Sequence, residues 1–424
     1  MRTRRANLLG VLLCLSAALP VHAQIFQPKT IQFAGVPDYT DAELLATAGL
    51  KVGDTLDNAA MNAHAQKLMD TGMFGGLTFK FDGADLIFAL TPSPDTVPAR
   101  FENLPFPAGK ELDDALHAAV PLYHGKVSQQ AGTCESVRVA LESYLAVKKL
   151  PATVQATPVI AGSKITAISY AIVAPPILVG DLQTQGAVLA LDPAARTLLT
   201  KLSGGPYSVT GSPEQIEREL TGYYDEQGYL QAEVRATALA KPLIAADAVR
   251  VPFRVALNPG VQYRLAGITL GPGLLVSQAE FDKQSQVKPG TVADGAHVRA
   301  NWEFVARQYH NKGYMRAKVA PEAHFDKAAG TVAYTVSAEP GVQYTMGKLA
   351  IDGVTDELRA AIVAAWPMPA GALFNEGAIR GIIATHGVHP ALEAVFAQVN
   401  VHYNMVLNDD TKTVDVTMRL EKKP

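Results

Sequence analysis

Few side chains in this sequence stand in a pattern that does chemistry by itself. His386-Gly387-Val388-His389 offers two imidazoles close together, yet no cysteine or carboxylate stands beside them at a familiar metal-ligand spacing. His117, His124, His310 and His402 are scattered along the chain and read as surface or hydrogen-bonded groups. Asp225-Glu226 and Asp409-Asp410 could hold a metal or share a proton. The first pair ends an amphipathic helix pattern, and the second follows Asn408 between two strand patterns, where Asn and Asp serve the turn. Tyr223, Tyr224, Trp302 and Tyr309 would suit an aromatic cage, but their helical spacing assigns them to a core. Lys148-Lys149 and Lys422-Lys423 are too short for a membrane or nucleic-acid patch. There is no G-x-S-x-G elbow, no phosphate loop, no H-E-x-x-H and no G-x-G-x-x-G after a strand. The expectation is a protein with no catalytic residue, no cofactor and no metal.

What carries these residues is an ordinary globular chain with an export leader. Arg2, Arg4 and Arg5 precede an apolar run from Leu8 to Leu19 that is too short to span a bilayer, and Val21-His22-Ala23 forms a small-x-small cleavage site. Residues 1–23 therefore read as a signal peptide, and no later stretch is long and apolar enough for a transmembrane helix. In 424 residues, 37 Lys and Arg face 40 Asp and Glu, with 48% hydrophobic and 18% charged content. That balance excludes a disordered chain and a nucleic-acid-coating one. The two cysteines, Cys14 and Cys134, exclude a disulfide framework. Cys14 lies inside the leader without a small residue before it, against lipid attachment, and Cys134 reads as a small buried hydrophobe.

Length alone suggests roughly three domains, but an internal repeat revises this. A helix-like segment ends in a break at Gly72-Met73-Phe74, Lys149-Leu150, Gly228-Tyr229, Gly313-Tyr314 and Gly387-Val388, roughly 75 to 85 residues apart. After each break comes an extended stretch and then a run of two-residue periodicity. The runs are Leu86, Phe88, Leu90; Ile168, Tyr170, Ile172; Val251, Phe253, Val255, Leu257; Val332, Tyr334, Val336; and Val414, Val416, Met418, Leu420. One apolar face per strand requires a cover. Helices with stripes Ile216, Leu220, Tyr223, Tyr224 and Val298, Trp302, Val305, Tyr309 supply it. Capping boxes at Thr40…Glu43, Ser277…Glu280 and Ser212-Pro213-Glu214-Gln215 mark helix starts. A glycine turn recurs between the two helices, at Val52-Gly53-Asp54, Gly204-Gly205-Pro206, Pro289-Gly290-Thr291 and Pro369-Ala370-Gly371. Each repeat reads strand, helix, helix, strand, strand.

Pro259-Gly260-Val261-Gln262-Tyr263 and Pro340-Gly341-Val342-Gln343-Tyr344 join successive repeats with almost no linker. This order of elements, the Gly-Tyr after the second helix and the Pro-Gly-x-Gln-Tyr junction resemble the POTRA (polypeptide-transport-associated) domain. The resemblance covers essentially the whole mature chain and departs most in the second repeat, where Lys149-Leu150-Pro151 replaces Gly-aromatic. It implies an α+β fold of tandem β-α-α-β-β domains, each a three-stranded sheet covered by two helices, at residues 29–93, 97–175, 176–259, 260–340 and 341–424. In the family such repeats stand in the periplasm before an outer-membrane β-barrel. A barrel needs on the order of 120 residues, more than follow the fifth repeat here, so any barrel is expected to be a separate partner.

The resemblance implies a non-enzymatic periplasmic module, associated with the outer membrane, that assists the assembly or transport of outer-membrane proteins. It would dock on a barrel partner and take unfolded client polypeptides by strand addition to a sheet edge. The edge implicated is the second strand of each repeat. The carry-over falls on Tyr229 to Thr237 (Tyr229, Gln231, Glu233, Arg235), Tyr314 to Glu322 (Tyr314, Arg316, Lys318) and Leu77 to Phe81 (Leu77, Phe79). Against it stands the habit of proteins to blunt their edges, for which Arg235, Arg316 and Lys318 are suited. The alternative is a structural spacer or adhesion-type repeat protein of the cell envelope.

Overall fold

The computed structural model describes residues 25–130, 132–186, 193–384 and 399–422. Residues 1–23, expected to be a signal peptide and including Cys14, and the His386-Gly387-Val388-His389 segment lie outside the described residues. No described helix is long and apolar enough to cross a membrane.

The first repeat runs β1 (Thr30–Ala34), α1 (Asp41–Ala48), α2 (Asn58–Asp70), β2 (Phe74–Asp82) and β3 (Asp85–Pro92). The second runs β4 (Thr96–Phe101), α3 (Lys110–Ala119), β5 (Lys126–Ser128), α4 (Thr133–Val147), β6 (Thr153–Ala161) and β7 (Lys164–Ala174). The third comprises β8 (Ile177–Gln185), α5 (Pro193–Leu202), α6 (Gly211–Glu226), β9 (Glu233–Ala238), β10 (Leu243–Ile244) and β11 (Val249–Asn258). The fourth is β12 (Arg264–Leu270), α7 (Gln278–Gln284), α8 (Gly295–His310), β13 (Lys318–Asp326) and β14 (Thr331–Glu339). The fifth is β15 (Thr345–Asp352), α9 (Asp356–Ala365), α10 (Glu376–Ala384), β16 (Val399–Asn408) and β17 (Thr413–Lys422). The fold is α+β, in tandem β-α-α-β-β repeats.

The five alternating runs read from the sequence are the last strand of each repeat, β3, β7, β11, β14 and β17, and their apolar side chains are buried. In the first, second, fourth and fifth repeats this strand is central, parallel to the first strand and antiparallel to the second. The crossover through two helices makes the first pairing parallel, and the tight hairpin makes the second antiparallel. A central strand buries its apolar side against the helices, and each such side chain stabilises by about 1.5–3 kcal/mol. In the first repeat Leu86 and Phe88 meet Leu44, Met61 and Leu68 of the two helices in one core.

Helix starts follow the caps in part. Thr40 and Ser277 close reciprocal capping boxes with Glu43 and Glu280. Ser212 does not cap α6. The Ser212 N–H donates to the Ser208 carbonyl at 3.1 Å and the Ser212 hydroxyl accepts from the Ser208 N–H at 2.9 Å, so Ser212 is buried within the first turn. Cys134 is half-buried rather than buried. Tyr224 and Tyr309 are core residues, and Trp302 stacks edge-on against Tyr334.

The recurrent glycine turn has a structural role. Gly53, Gly204, Gly290 and Gly371 have φ between 83° and 88°, a region where other residues are strained. Each donates its N–H to a carbonyl at the start of the first strand: Gly204 to Val179, Gly290 to Leu265 and Gly371 to Met346 at 2.7–2.8 Å, and Gly53 to Pro28 at 3.0 Å. In the second repeat the short strand β5 pairs with β4 at the same place. The beginning of the first strand is thus closed by its own repeat.

Two compact units divide the chain. One is Met1–Asp181 with Ser203–Ser212 and Ala238–Phe253; the other is Leu182–Leu202 with Pro213–Thr237 and Arg254–Pro424. The first holds the first two repeats and the second holds the last two.

Candidate interaction surface

The residues expected on open edges fall into two groups. Leu77 and Phe79 lie on β2, half-buried beside the core and opposite Leu90 and Phe88. Glu233 and Arg235 lie on β9 and Lys318 opens β13. Tyr229, Gln231, Tyr314 and Arg316, however, precede the strands, in the turns after α6 and α8. There the chain stays coiled because each break bonds to the next repeat rather than to its own sheet.

These turns and the Pro-Gly-x-Gln-Tyr segments are two halves of one joint. Tyr263 N–H donates to the Gly228 carbonyl and Tyr344 N–H to the Gly313 carbonyl, both at 2.8 Å. The Gln262 amide donates to the Gln227 carbonyl at 2.9 Å, and the Gln343 amide to that of Lys312 at 3.0 Å. Both tyrosine rings are buried. The Tyr263 hydroxyl donates to Gln231 at 2.8 Å, while that of Tyr344 donates to Asp409, which also accepts from Arg316 at 2.9 Å. Asp225 pairs with Arg299 at the earlier joint. Asp225 and Asp409 therefore do more than end a helix and shape a turn. Glu376 of α10 joins the fifth repeat to the fourth through His310 of α8 at 2.9 Å, and pairs with Arg380 on its own helix. The His310 hydrogen bond holds its carboxyl below the ordinary range against the opposing effect of burial, with Arg380 adding to the lowering.

The second-strand edges differ in what they leave free. On β6, Pro158 removes one N–H and the Glu142 carboxylate accepts the Val154 N–H at 2.8 Å. On β9, Glu217 of α6 accepts the Ala236 N–H at 2.9 Å and lies 3.7 Å from Arg235. On β13, Pro321 sits opposite Val336 within an unbroken ladder, so its missing N–H is on the outer side. Among the described residues β16 carries none of these devices. Its ten residues contain no proline and no Asp, Glu, Lys or Arg. Val399, Val401, Tyr403, Met405 and Leu407 are half-buried against the fifth core, alternating with exposed Asn400, His402, Asn404, Val406 and Asn408. The two-residue period of β16 was present in the sequence, and it marks the longest edge without a proline or charge among these four.

A side-chain cluster that the sequence reading scattered is also assembled. Glu43 of α1 meets His117 of α3 and His124 beyond it, with Glu43 Oε1 3.2 Å from His117 Nε2 and 3.0 Å from His124 Nε2. Nothing in the spacing of these residues announced it, because the carboxylate comes from a different repeat.

No protein-family model matches the chain. A protein of Treponema pallidum (strain Nichols) described as a "Putative outer membrane protein assembly factor" is 25% identical over 126 residues, which span 29% of this chain and 15% of that protein. Among solved structures, POTRA domains 3–5 of Haemophilus influenzae BamA are 17% identical, covering 58% of this chain and 96% of that one with a TM-score of 0.42. POTRA domains 1–3 of Anabaena Omp85 are 14% identical, covering 59% and 96% with a TM-score of 0.23. In its repeated strand-helix-helix-strand-strand order, with the last strand central and parallel to the first, this chain is similar to tandem POTRA repeats.

Proposed function

We propose that the chain is a non-enzymatic periplasmic module of outer-membrane protein assembly, which takes extended client segments by strand addition and docks on a β-barrel partner. The observation that carries this reading is the inequality of the sheet edges. First strands are closed at their start by the glycine turn or β5, and β6, β9 and β13 are interrupted by proline or by a carboxylate, while β16 offers ten consecutive residues with no such block among the described residues. An added strand gains main-chain hydrogen bonds independent of its sequence, and the apolar row from Val399 to Leu407 gives a weak preference for alternating clients. The edge of β2, with Leu77 and Phe79, is a second acceptor. The joints that bind one repeat to the next by backbone and tyrosine contacts hold neighbouring edges in fixed register.

The test is site-specific photocrosslinking in cells. A photoreactive residue at Asn404 should capture outer-membrane barrel proteins, and the same residue at Ala323 on β13 should capture few. Equal capture at both positions, or none at Asn404, sinks strand addition at β16. Capture of nothing but envelope structural components at every edge would favour a spacer.

A further inference from the structure

The first and second repeats meet at a cluster of one carboxylate and two imidazoles, Glu43, His117 and His124. His117 Nδ1 lies 3.2 Å from the carbonyl oxygen of Tyr123. A carbonyl only accepts, so Nδ1 carries the proton and a neutral His117 presents a bare lone pair at Nε2. That nitrogen lies 3.2 Å from Glu43 Oε1. In that tautomer two acceptor atoms are close neighbours. Doubly protonating His117 or placing a cation between them relieves the repulsion. His124 brings its own Nε2 to 3.0 Å from the same oxygen, so three donor atoms converge on one point.

From this geometry we infer that Glu43, His117 and His124 form a zinc-type divalent metal site that pins the first repeat to the second. The distances fit. Zinc bonds to imidazole nitrogen and carboxylate oxygen of about 2.0–2.1 Å in a tetrahedron place neighbouring ligand atoms roughly 3.3–3.4 Å apart. The two observed separations, 3.2 and 3.0 Å, need only a small expansion, and all three ligand atoms lie within 4.8 Å of one another.

The supporting contacts are those a metal site needs. The Tyr123 carbonyl fixes the tautomer of His117 that exposes Nε2. The other carboxylate oxygen, Glu43 Oε2, accepts the Thr40 N–H at 2.7 Å in the α1 capping box, which turns Oε1 toward the histidines. Tyr39 packs edge-on against the His124 ring at 5.3 Å. Glu43 is the most enclosed ligand, its side chain 14% exposed against 43% for His117 and 42% for His124. The cleft in front, about 520 Å3 and bordered by Asp113 and Asp114, leaves a fourth position for water or one of these carboxylates. Nickel or cobalt would suit the same imidazole-carboxylate set, and zinc is the natural probe.

The experiment uses the mature chain, tag-free and stripped with chelator. Zinc is titrated calorimetrically, and cobalt is added in parallel for its visible spectrum. The expected result is one zinc equivalent, a four- or five-coordinate cobalt spectrum and a raised melting temperature. Glu43→Gln preserves the capping box while removing the anionic ligand, and His124→Gln changes a surface ring. Each should weaken zinc at least about tenfold and abolish the zinc-dependent shift in melting, with unchanged circular dichroism in the absence of metal. Absence of zinc binding to the native chain overturns the inference, as does zinc binding that both variants retain at native strength.

Discussion

The carbonyl oxygen of Tyr344 lies 2.8 Å from where a β-carbon on Gly313 would stand, and the Tyr344 N–H donates to the Gly313 carbonyl at the same distance. A residue of the fifth repeat thus occupies space that only glycine at the break after α8 of the fourth can leave. With φ at +79°, Gly313 is required both by its backbone and by its neighbour.

Gly313→Val should therefore destabilise two repeats rather than one. A left-handed backbone costs a non-glycine residue about 1–2 kcal/mol, and the β-branched side chain adds a collision with main-chain atoms, for an expected loss of about 2–4 kcal/mol. The two tryptophans separate the effects, since Trp302 belongs to the fourth repeat and Trp366 to the fifth. Fluorescence-monitored denaturation of single-tryptophan versions should show both midpoints falling. A fall confined to Trp302 would mean that the joint carries no coupling.

Lys149 is the opposite case. It has φ of +63° at the end of α4, where Gly72, Gly228 and Gly313 hold the corresponding breaks at +70°, +83° and +79°. Its side chain is exposed, so glycine loses no buried contact there. Relief of the left-handed cost exceeds the added freedom of the unfolded chain, and Lys149→Gly should stabilise by about 0.5–1 kcal/mol. A denaturant midpoint that fails to rise would refute this.

What could be read from the sequence follows from how local each signal is. The central strands were legible because Val414, Val416, Met418 and Leu420 carry a period of two on a fully covered face, and the breaks because glycine marks positive φ. Lys149 hid the second break by tolerating that conformation without glycine. Gln231 and Arg316 were placed on strands because the local pattern continues into β9 and β13, whereas the joint with the following repeat holds them in turns. The cluster of Glu43, His117 and His124 was invisible, since contacts between repeats leave no periodicity. The proline and carboxylate blocks on β6, β9 and β13 become apparent only when the outer side of each strand is known.

The joint between the fourth and fifth repeats should weaken in acid. Glu376 has a folded-state pKa below its ordinary value, held there by His310 against burial, with Arg380 assisting. A depressed carboxylate contributes stability that is fully present above the unfolded value, about 4.3, and that is lost as pH falls through the folded value. Denaturant midpoints of the native chain and of Glu376→Gln should differ at pH 6 and converge as pH falls below the unfolded value of about 4.3. A difference that stays constant across this range would assign the effect to packing instead of ionisation.

The edge inequality predicts a gain of binding as well as a loss. Pro321 lies opposite Val336 on β13, exposed, with the ladder to β14 continuous on both sides of it. Its ring costs the outer edge one donor and obstructs an approaching strand. Pro321→Thr restores that donor with a residue suited to a strand. Because no internal hydrogen bond depends on the change, stability should move by less than about 1 kcal/mol. Capture of unfolded barrel proteins by a photoreactive residue at Ala323 should then rise toward the level at Asn404 on β16, while capture at Asn404 stays constant. If Pro321→Thr leaves capture at Ala323 unchanged in a folded protein, edge blocking does not govern which strand accepts a client.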